Sequence, residues 1–212
     1  MEKTNNGTFD AKAHWQGIYE KKGPEEVSWF QPVPSVSLQL FETYNVPPDA
    51  RVIDVGGGDS LLVDHLLDRG HTNVTVLDIS GAALQKAQAR LGTRASLVKW
   101  IEADATRFMP DGTFDVWHDR AVFHFLTEPA QVALYLEQIA RYLRPGGLLI
   151  LGTFSLIGPD KCSGIPVQRY DERTMVQHLT EICERVKCFT VDHVTPFNTV
   201  QNFLFCAFRR KP

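Results

Sequence analysis

Three consecutive glycines at the end of a short apolar run restrict what this chain can fold into more than any other feature of its sequence. The stretch Arg51-Val-Ile-Asp-Val-Gly-Gly-Gly-Asp-Ser-Leu-Leu-Val-Asp-His-Leu-Leu-Asp-Arg-Gly70 reads as strand, tight turn, helix. Val52 to Val55 form the strand, and Asp59 and Ser60 can cap free backbone N–H groups. Leu62, Val63, Leu66 and Leu67 then recur at helical spacing before a stop at Gly70. Gly56, Gly57 and Gly58 remove Cβ atoms where a ligand has to approach the backbone, and the helix start offers N–H groups to a polar or negative group. About 22 residues past Gly56, a second apolar run, Val74 to Leu77, ends in Asp78. A carboxylate there can accept both hydroxyls of a ribose.

A pyrophosphate site would want glycine at position 61, where this chain has Leu61, and no Gly-Lys-Ser/Thr of a P-loop is present. Asp54, at the end of the first strand, suits a ligand with a positive amino or sulfonium group. The stretch resembles motif I of the class I, seven-stranded Rossmann-like S-adenosylmethionine-dependent methyltransferases, an acidic residue followed by Gly-x-Gly. Leu143-Arg-Pro-Gly-Gly-Leu148 resembles that family's late motif before strand five, and the match runs from about residue 50 to 155. The resemblance implies S-adenosyl-L-methionine as cofactor. It places Asp54 and Gly56 to Gly58 at the donor, Asp78 with Ile79 on the ribose, and Asp104 with Ala105 near the adenine. Asp104 could equally cap the turn that follows it.

Strands at Leu97 to Ile101, Phe114 to His118 and Leu148 to Leu151 alternate with helices at Ile79 to Leu91 and Ala130 to Leu143. Val132, Leu136, Ile139 and Leu143 should face inward from the second of these helices. Two more β-rich runs, Val186 to Val194 and Gln201 to Phe208, close the chain. The pattern predicts an α/β fold: a doubly wound, mostly parallel seven-stranded sheet, helices on both faces, and an antiparallel final strand pair. Such sheets bind ligands at the carboxyl ends of their strands. Asp54, Asp78, Asp104 and Asp119 all fall at such ends, which is hard to explain as packing.

One domain over residues 1–212 is expected, with 1–48 as a helical and aromatic segment and 49–212 as the Rossmann-like core. A helix over Ala11 to Lys22 puts Trp15, Ile18 and Tyr19 on one face, and Gly23-Pro24 ends it. Trp29, Phe30 and Gln31 are candidates for a lid over the donor, or else for plain core packing. Residues from Met1 to Phe9 are expected to fray. A net charge of -3 and a pI near 6.2 point away from nucleic acid. No run approaches about 18 apolar residues and no apolar signal core follows Met1, so a cytoplasmic, non-membrane protein is expected. Cys162, Cys183, Cys188 and Cys206 lack metal-ligand spacing and read as reduced thiols, and no metal site is expected.

Methyl transfer needs the acceptor held in line, and sometimes a base. Past the fourth strand, Asp119 and His124 are the catalytic candidates, His124 as a base or as a buried structural histidine. Asp119 is also a donor-site candidate. His118, Arg120, Arg169 and Tyr170 are candidates for the acceptor, with Cys162 and His193 as lesser ones. Asp119-Arg120 resembles the Trp-Asp-Arg-Gly loop of thiopurine S-methyltransferase-like enzymes, with Ala121 in place of glycine. The entry segment resembles that of lysine methyltransferases, which carry an acid about where this chain has His124. A small-molecule acceptor (thiol, amine or carboxylate) is favoured over a protein lysine. A donor-binding scaffold without chemistry is disfavoured by the intact glycine loop.

Overall fold

The computed structural model describes residues 9–212, so the fraying expected of the first eight lies outside it. In chain order the elements are α1 (Ala11–Lys21), α2 (Ser35–Thr43), β1 (Val52–Val55), α3 (Leu62–Asp68), β2 (Val74–Asp78), α4 (Gly81–Leu91), β3 (Val98–Glu102), β4 (Phe114–Arg120), α5 (Pro129–Tyr142), β5 (Leu143–Phe154), β6 (Lys161–Cys162), β7 (Ile165–Pro166), α6 (Glu172–Leu179), β8 (Cys183–Val194) and β9 (Val200–Arg210). The seven long strands form one sheet in the order β3-β2-β1-β4-β5-β9-β8. The pairs from β3 through β5 are parallel, and β9 runs antiparallel to both β5 and β8. Strand order reverses between β1 and β4, so their carboxyl ends open a crevice there.

Both sheet faces are covered, which is why the central strands β1 and β4 are buried at nearly every position rather than at alternate ones. On one face Leu38 and Phe41 of α2, Leu62 and Leu66 of α3 and Leu84 and Leu91 of α4 pack against the sheet. On the other lie Val132, Tyr135 and Ile139 of α5 and Met175 and Leu179 of α6. Here α5 departs from the expected face: Tyr135 and Tyr142 are buried, and Leu136 packs only at the edge. The apolar period locates the stripe but undercounts a tyrosine whose hydroxyl finds a buried partner. Arg144 to Gly147 stand out from the pairing, because Leu143 is opposite Phe114 and Leu148 opposite Val116.

The cysteines require a correction. Cys188 and Cys206 are register partners on β8 and β9 and are joined by a disulfide, whereas Cys162 and Cys183 are free and buried. Spacing along the chain could not show the pairing, since it depends on strand register. No helix among the described residues is long and apolar enough to cross a membrane.

Candidate functional site

The strand ends meet at a cavity of about 900 Å³, within the roughly 300–1,000 Å³ of small-molecule sites. Asp54, Gly56, Gly57, Asp78, Ile79, Asp104 and Ala105 line it, all from the ends of β1, β2 and β3. Gly56 and Gly58 adopt positive φ (67° and 45°), which L side chains rarely adopt. The space their missing Cβ atoms leave is taken largely by the protein itself. At Gly56 a Cβ would strike Val122, and at Gly57 it would lie 2.6 Å from Asp54 Oδ2. Gly58 is held against Asp78 and Tyr19 and does not line the cavity. Glycine here therefore serves close packing of acid against loop before any approach by a ligand.

Asp78 is buried and accepts the Ser80 N–H at 2.8 Å. Burial pushes its carboxyl up to about 7, opposed by the Ser80 N–H and reinforced by the charge of Asp54. Asp104 also faces the cavity, and its Oδ1 accepts from Thr106 N (2.8 Å) and Thr106 Oγ1 (2.7 Å), so it caps the following turn as well. Asp54 is tied down from behind: His118 Nδ1 lies 2.7 Å from Asp54 Oδ1, and Ser37 Oγ lies 2.8 Å from His118 Nε2. All three are buried and all three border the cavity. An ionised carboxylate only accepts, so His118 Nδ1–H donates to Asp54 and Nε2 takes the Ser37 hydroxyl. Ser37 and its link between α2 and β1 went unnoticed in the sequence, where nothing sets one buried serine apart.

The segment before β1 roofs the cavity. No residue of α1 is fully buried, and Trp15, Tyr19 and Trp29 line the cavity, Trp29 packing against the core as well. Trp15 stands edge-on to Phe125 (5.0 Å) and Trp29 (5.8 Å). Gln16 Oε1 accepts from Ser80 Oγ and Ala82 N, each at 3.1 Å, which fastens α1 to the start of α4. The lid reading of Trp29 thus fits its position, and Gln16 is a contributor that its exposed-looking sequence context hid.

The far half of the cavity is built by β4, β5, β9 and the β6–β7 hairpin, with Arg120, Phe125, Phe154, Phe203, Gln201 and Cys162 on its wall. Several sequence candidates are instead held by the protein's own groups. Asp119 is wholly buried and off the wall, accepting from Val122 N (2.8 Å), Phe123 N and the Tyr135 hydroxyl. Burial raises its carboxyl to about 6. His124 is also fully buried and off the wall, and its Nδ1 accepts the Phe154 N–H at 3.1 Å. Burial, with Arg120 nearby, lowers its pKa to about 3, so it is neutral and shielded rather than a base in contact with a ligand. Arg169 donates through Nη1 to the carbonyls of Leu156 and Gly158 and clamps that turn. Tyr170 is buried with its ring stacked on Phe123, and burial raises its hydroxyl to about 12. His193 meets the Ser28 carbonyl at 2.7 Å and anchors the lid segment. His118, Asp119 and Arg120 at the end of β4 looked alike in sequence because alternation in a strand gives direction only once register is known. Ala121, where the resembled loop has glycine, has φ +77° and so carries backbone strain.

Acids and glycines at three adjacent strand ends, one buried carboxylate beside a helix start and a second beside the glycine turn, fit a nucleoside ligand with a cationic tail. Residues 53–151 match the model of a methyltransferase domain. The chain is 26% identical over 148 residues to the eEF1A lysine and N-terminal methyltransferase of Mus musculus, which covers 66% of this chain and 21% of that protein. The chain therefore spans only about a fifth of the length of that relative. It is 29% identical over 198 residues to the 2-heptyl-1-hydroxyquinolin-4(1H)-one methyltransferase of Mycobacteroides abscessus, covering 89% of this chain and 81% of the other. The fold is similar to that of the N-methyltransferase NodS from Bradyrhizobium japonicum WM9 in complex with S-adenosyl-L-homocysteine, with TM-score 0.71, 18% identity, and 94% and 99% of the two chains covered.

Proposed function

We propose that the chain is a class I, Rossmann-like S-adenosylmethionine-dependent methyltransferase, and from that premise that its acceptor is a small molecule. The observation that carries this reading is the roof: Trp15, Tyr19 and Trp29, braced by Gln16 and His193, cover part of a cavity of about 900 Å³, a small-molecule size. Similarity to the quinolone methyltransferase extends over most of the chain, whereas similarity to the eEF1A enzymes covers two-thirds of it. When bound, the cofactor supplies a sulfonium methyl group, leaving S-adenosylhomocysteine after transfer. In this reading Asp78 and Ile79 hold the ribose, and Asp104 and Ala105 border the adenine. Gly56 and Gly57, with the braced Asp54, receive the amino-acid part, and Trp29 closes over it. The loop after β4 aligns the acceptor with the methyl group, with Arg120 in contact and Asp119 and His124 fixing the loop from beneath.

A protein lysine is the second reading, favoured by the eEF1A relatives. Labelled-methyl transfer into a cell extract, before and after removal of material below a few kilodaltons, separates the two. Label in the low-mass fraction supports the proposal, and label retained only on protein overturns it. The cytoplasmic setting is a proposal of the same rank, and the Cys188–Cys206 bridge weighs against strongly reducing surroundings. Mass spectrometry of protein isolated with its thiols blocked tests it: a bridge intact in the cell argues for another compartment.

A further inference from the structure

The cavity has two electrostatic halves, and the second asks for something the first does not. The β1–β2–β3 side presents Asp54, Asp78 and Asp104. The β4–β5–β9 side presents Arg120 among Phe125, Phe154 and Phe203, with the exposed Glu128 of the segment leading into α5 also on the wall. Arg120 Nη1 donates to the Trp29 carbonyl at 3.0 Å, and the guanidinium carbon lies 4.9 Å from the centre of the Phe203 ring. Its Nη2 is shielded from solvent and has no hydrogen-bond partner. Among the described residues no carboxylate lies within ion-pair distance of it. Burial lowers its pKa to about 10, so it remains charged at neutral pH. A desolvated cation with a free donor is costly unless an anion completes it. Gln201 Oε1, also on the wall, is a second buried polar atom without a partner.

We infer that Arg120 is the acceptor anchor, and that the acceptor is a small molecule with a flat apolar body carrying an anionic oxygen. This rests on the small-molecule reading and narrows it. Aromatic walls bind the body, and the unused guanidinium N–H binds the oxygen, a charge-assisted contact formed away from water. The position at β4, facing Phe203 of β9, sets Arg120 apart from the glycine loop and Asp78 on the other side of the strand-order reversal. A protonated amine, such as a lysine side chain, would instead meet a buried like charge and be disfavoured.

The test is calorimetric titration of three probes of one shape into the full chain saturated with S-adenosylhomocysteine: naphthoate, naphthalenemethanol and naphthylmethylamine. Naphthoate should bind on the order of ten- to a hundredfold tighter than the alcohol, and the amine weakest. Arg120→Gln, which keeps a donor for the Trp29 carbonyl, should bring the three within about threefold while S-adenosylmethionine affinity changes by less than about twofold. Arg120→Lys should keep the ranking with a smaller spread. Equal affinities in the wild type, a preference for the amine, or loss of donor binding in Arg120→Gln with the probe ranking intact would each overturn the inference. If Arg120→Gln does not fold, the wild-type ranking decides. A protein that methylates only neutral or amine-bearing small molecules would sink the anion anchor and leave the small-molecule reading standing.

Discussion

Single side chains here act mostly by where they are held. Ser37→Ala removes the partner of His118 Nε2 and should cost about 1–3 kcal/mol of stability. Because His118 orients Asp54, the same variant should weaken donor affinity measured by calorimetry, whereas Ser37→Thr, if it packs, should restore it. His124→Asn should lower thermal stability by about 1–3 kcal/mol with turnover near wild type, the reverse of what a base would show. Its folded pKa, about 3, lies below its unfolded value of 6.5. The unfolded chain therefore binds the proton first, and stability present above pH 6.5 is lost as pH falls toward 3. Asp78 has the opposite sign. Its pKa rises from 3.8 to about 7 in the fold, so stability falls by roughly 1.4 kcal/mol per pH unit between those values and levels off above pH 7. The stability difference between Asp78→Asn and wild type should grow in favour of the variant across that window, while donor affinity drops. Urea titrations at pH 4, 6 and 8 would check it, and a constant difference would refute the assignment of the raised pKa.

At the scale of elements, α1 behaves as a lid fastened by a few polar contacts, those of Gln16 and the Lys12–Glu102 ion pair among them. It buries no residue completely, and Gln16 is its bridge to Ser80 and Ala82. Gln16→Ala should leave the unfolding midpoint nearly unchanged, since the helix adds little to the core, yet raise the donor dissociation rate several-fold. Stopped-flow Trp fluorescence, read from Trp15 and Trp29, would follow it. The glycine turn is the contrary case. Gly56→Ala places a Cβ against Val122 at a positive φ, so it should destabilise the protein by more than about 1 kcal/mol as well as weaken donor binding. The strand and helix periods of β1, α3 and β2 were legible before any coordinates, because each is a local pattern of apolar residues. The inward face of α5 was only half legible. Tyr135 is buried through its hydroxyl's contacts with Trp117 and Asp119, a partnership that no local pattern contains.

For the molecule as a whole, the Cys188–Cys206 bridge ties the last two strands across a sequence separation of 18. Replacing both cysteines with alanine, or reducing the bridge, should cost about 2–4 kcal/mol and leave turnover unchanged, since neither cysteine lines the cavity. Denaturant curves with and without reductant would measure it. By itself the sequence determined the α/β class, the alternation of strand and helix, the glycine turn, and the acids at the ends of β1, β2 and β3. Each of these is a short-range consequence of apolar period, turn chemistry or capping. Tertiary structure alone decided which residues at the end of β4 and just beyond it line the cavity. His118, Asp119, Arg120 and His124 differ little as polar residues in one run, but register with β1 and β5 turns Arg120 to the cavity and Asp119 away from it, while the turn after β4 buries His124 against the Phe154 N–H. The same holds for the disulfide and for Ser37: their partners lie 18 and 81 residues away, and contact between them exists only once the sheet has closed.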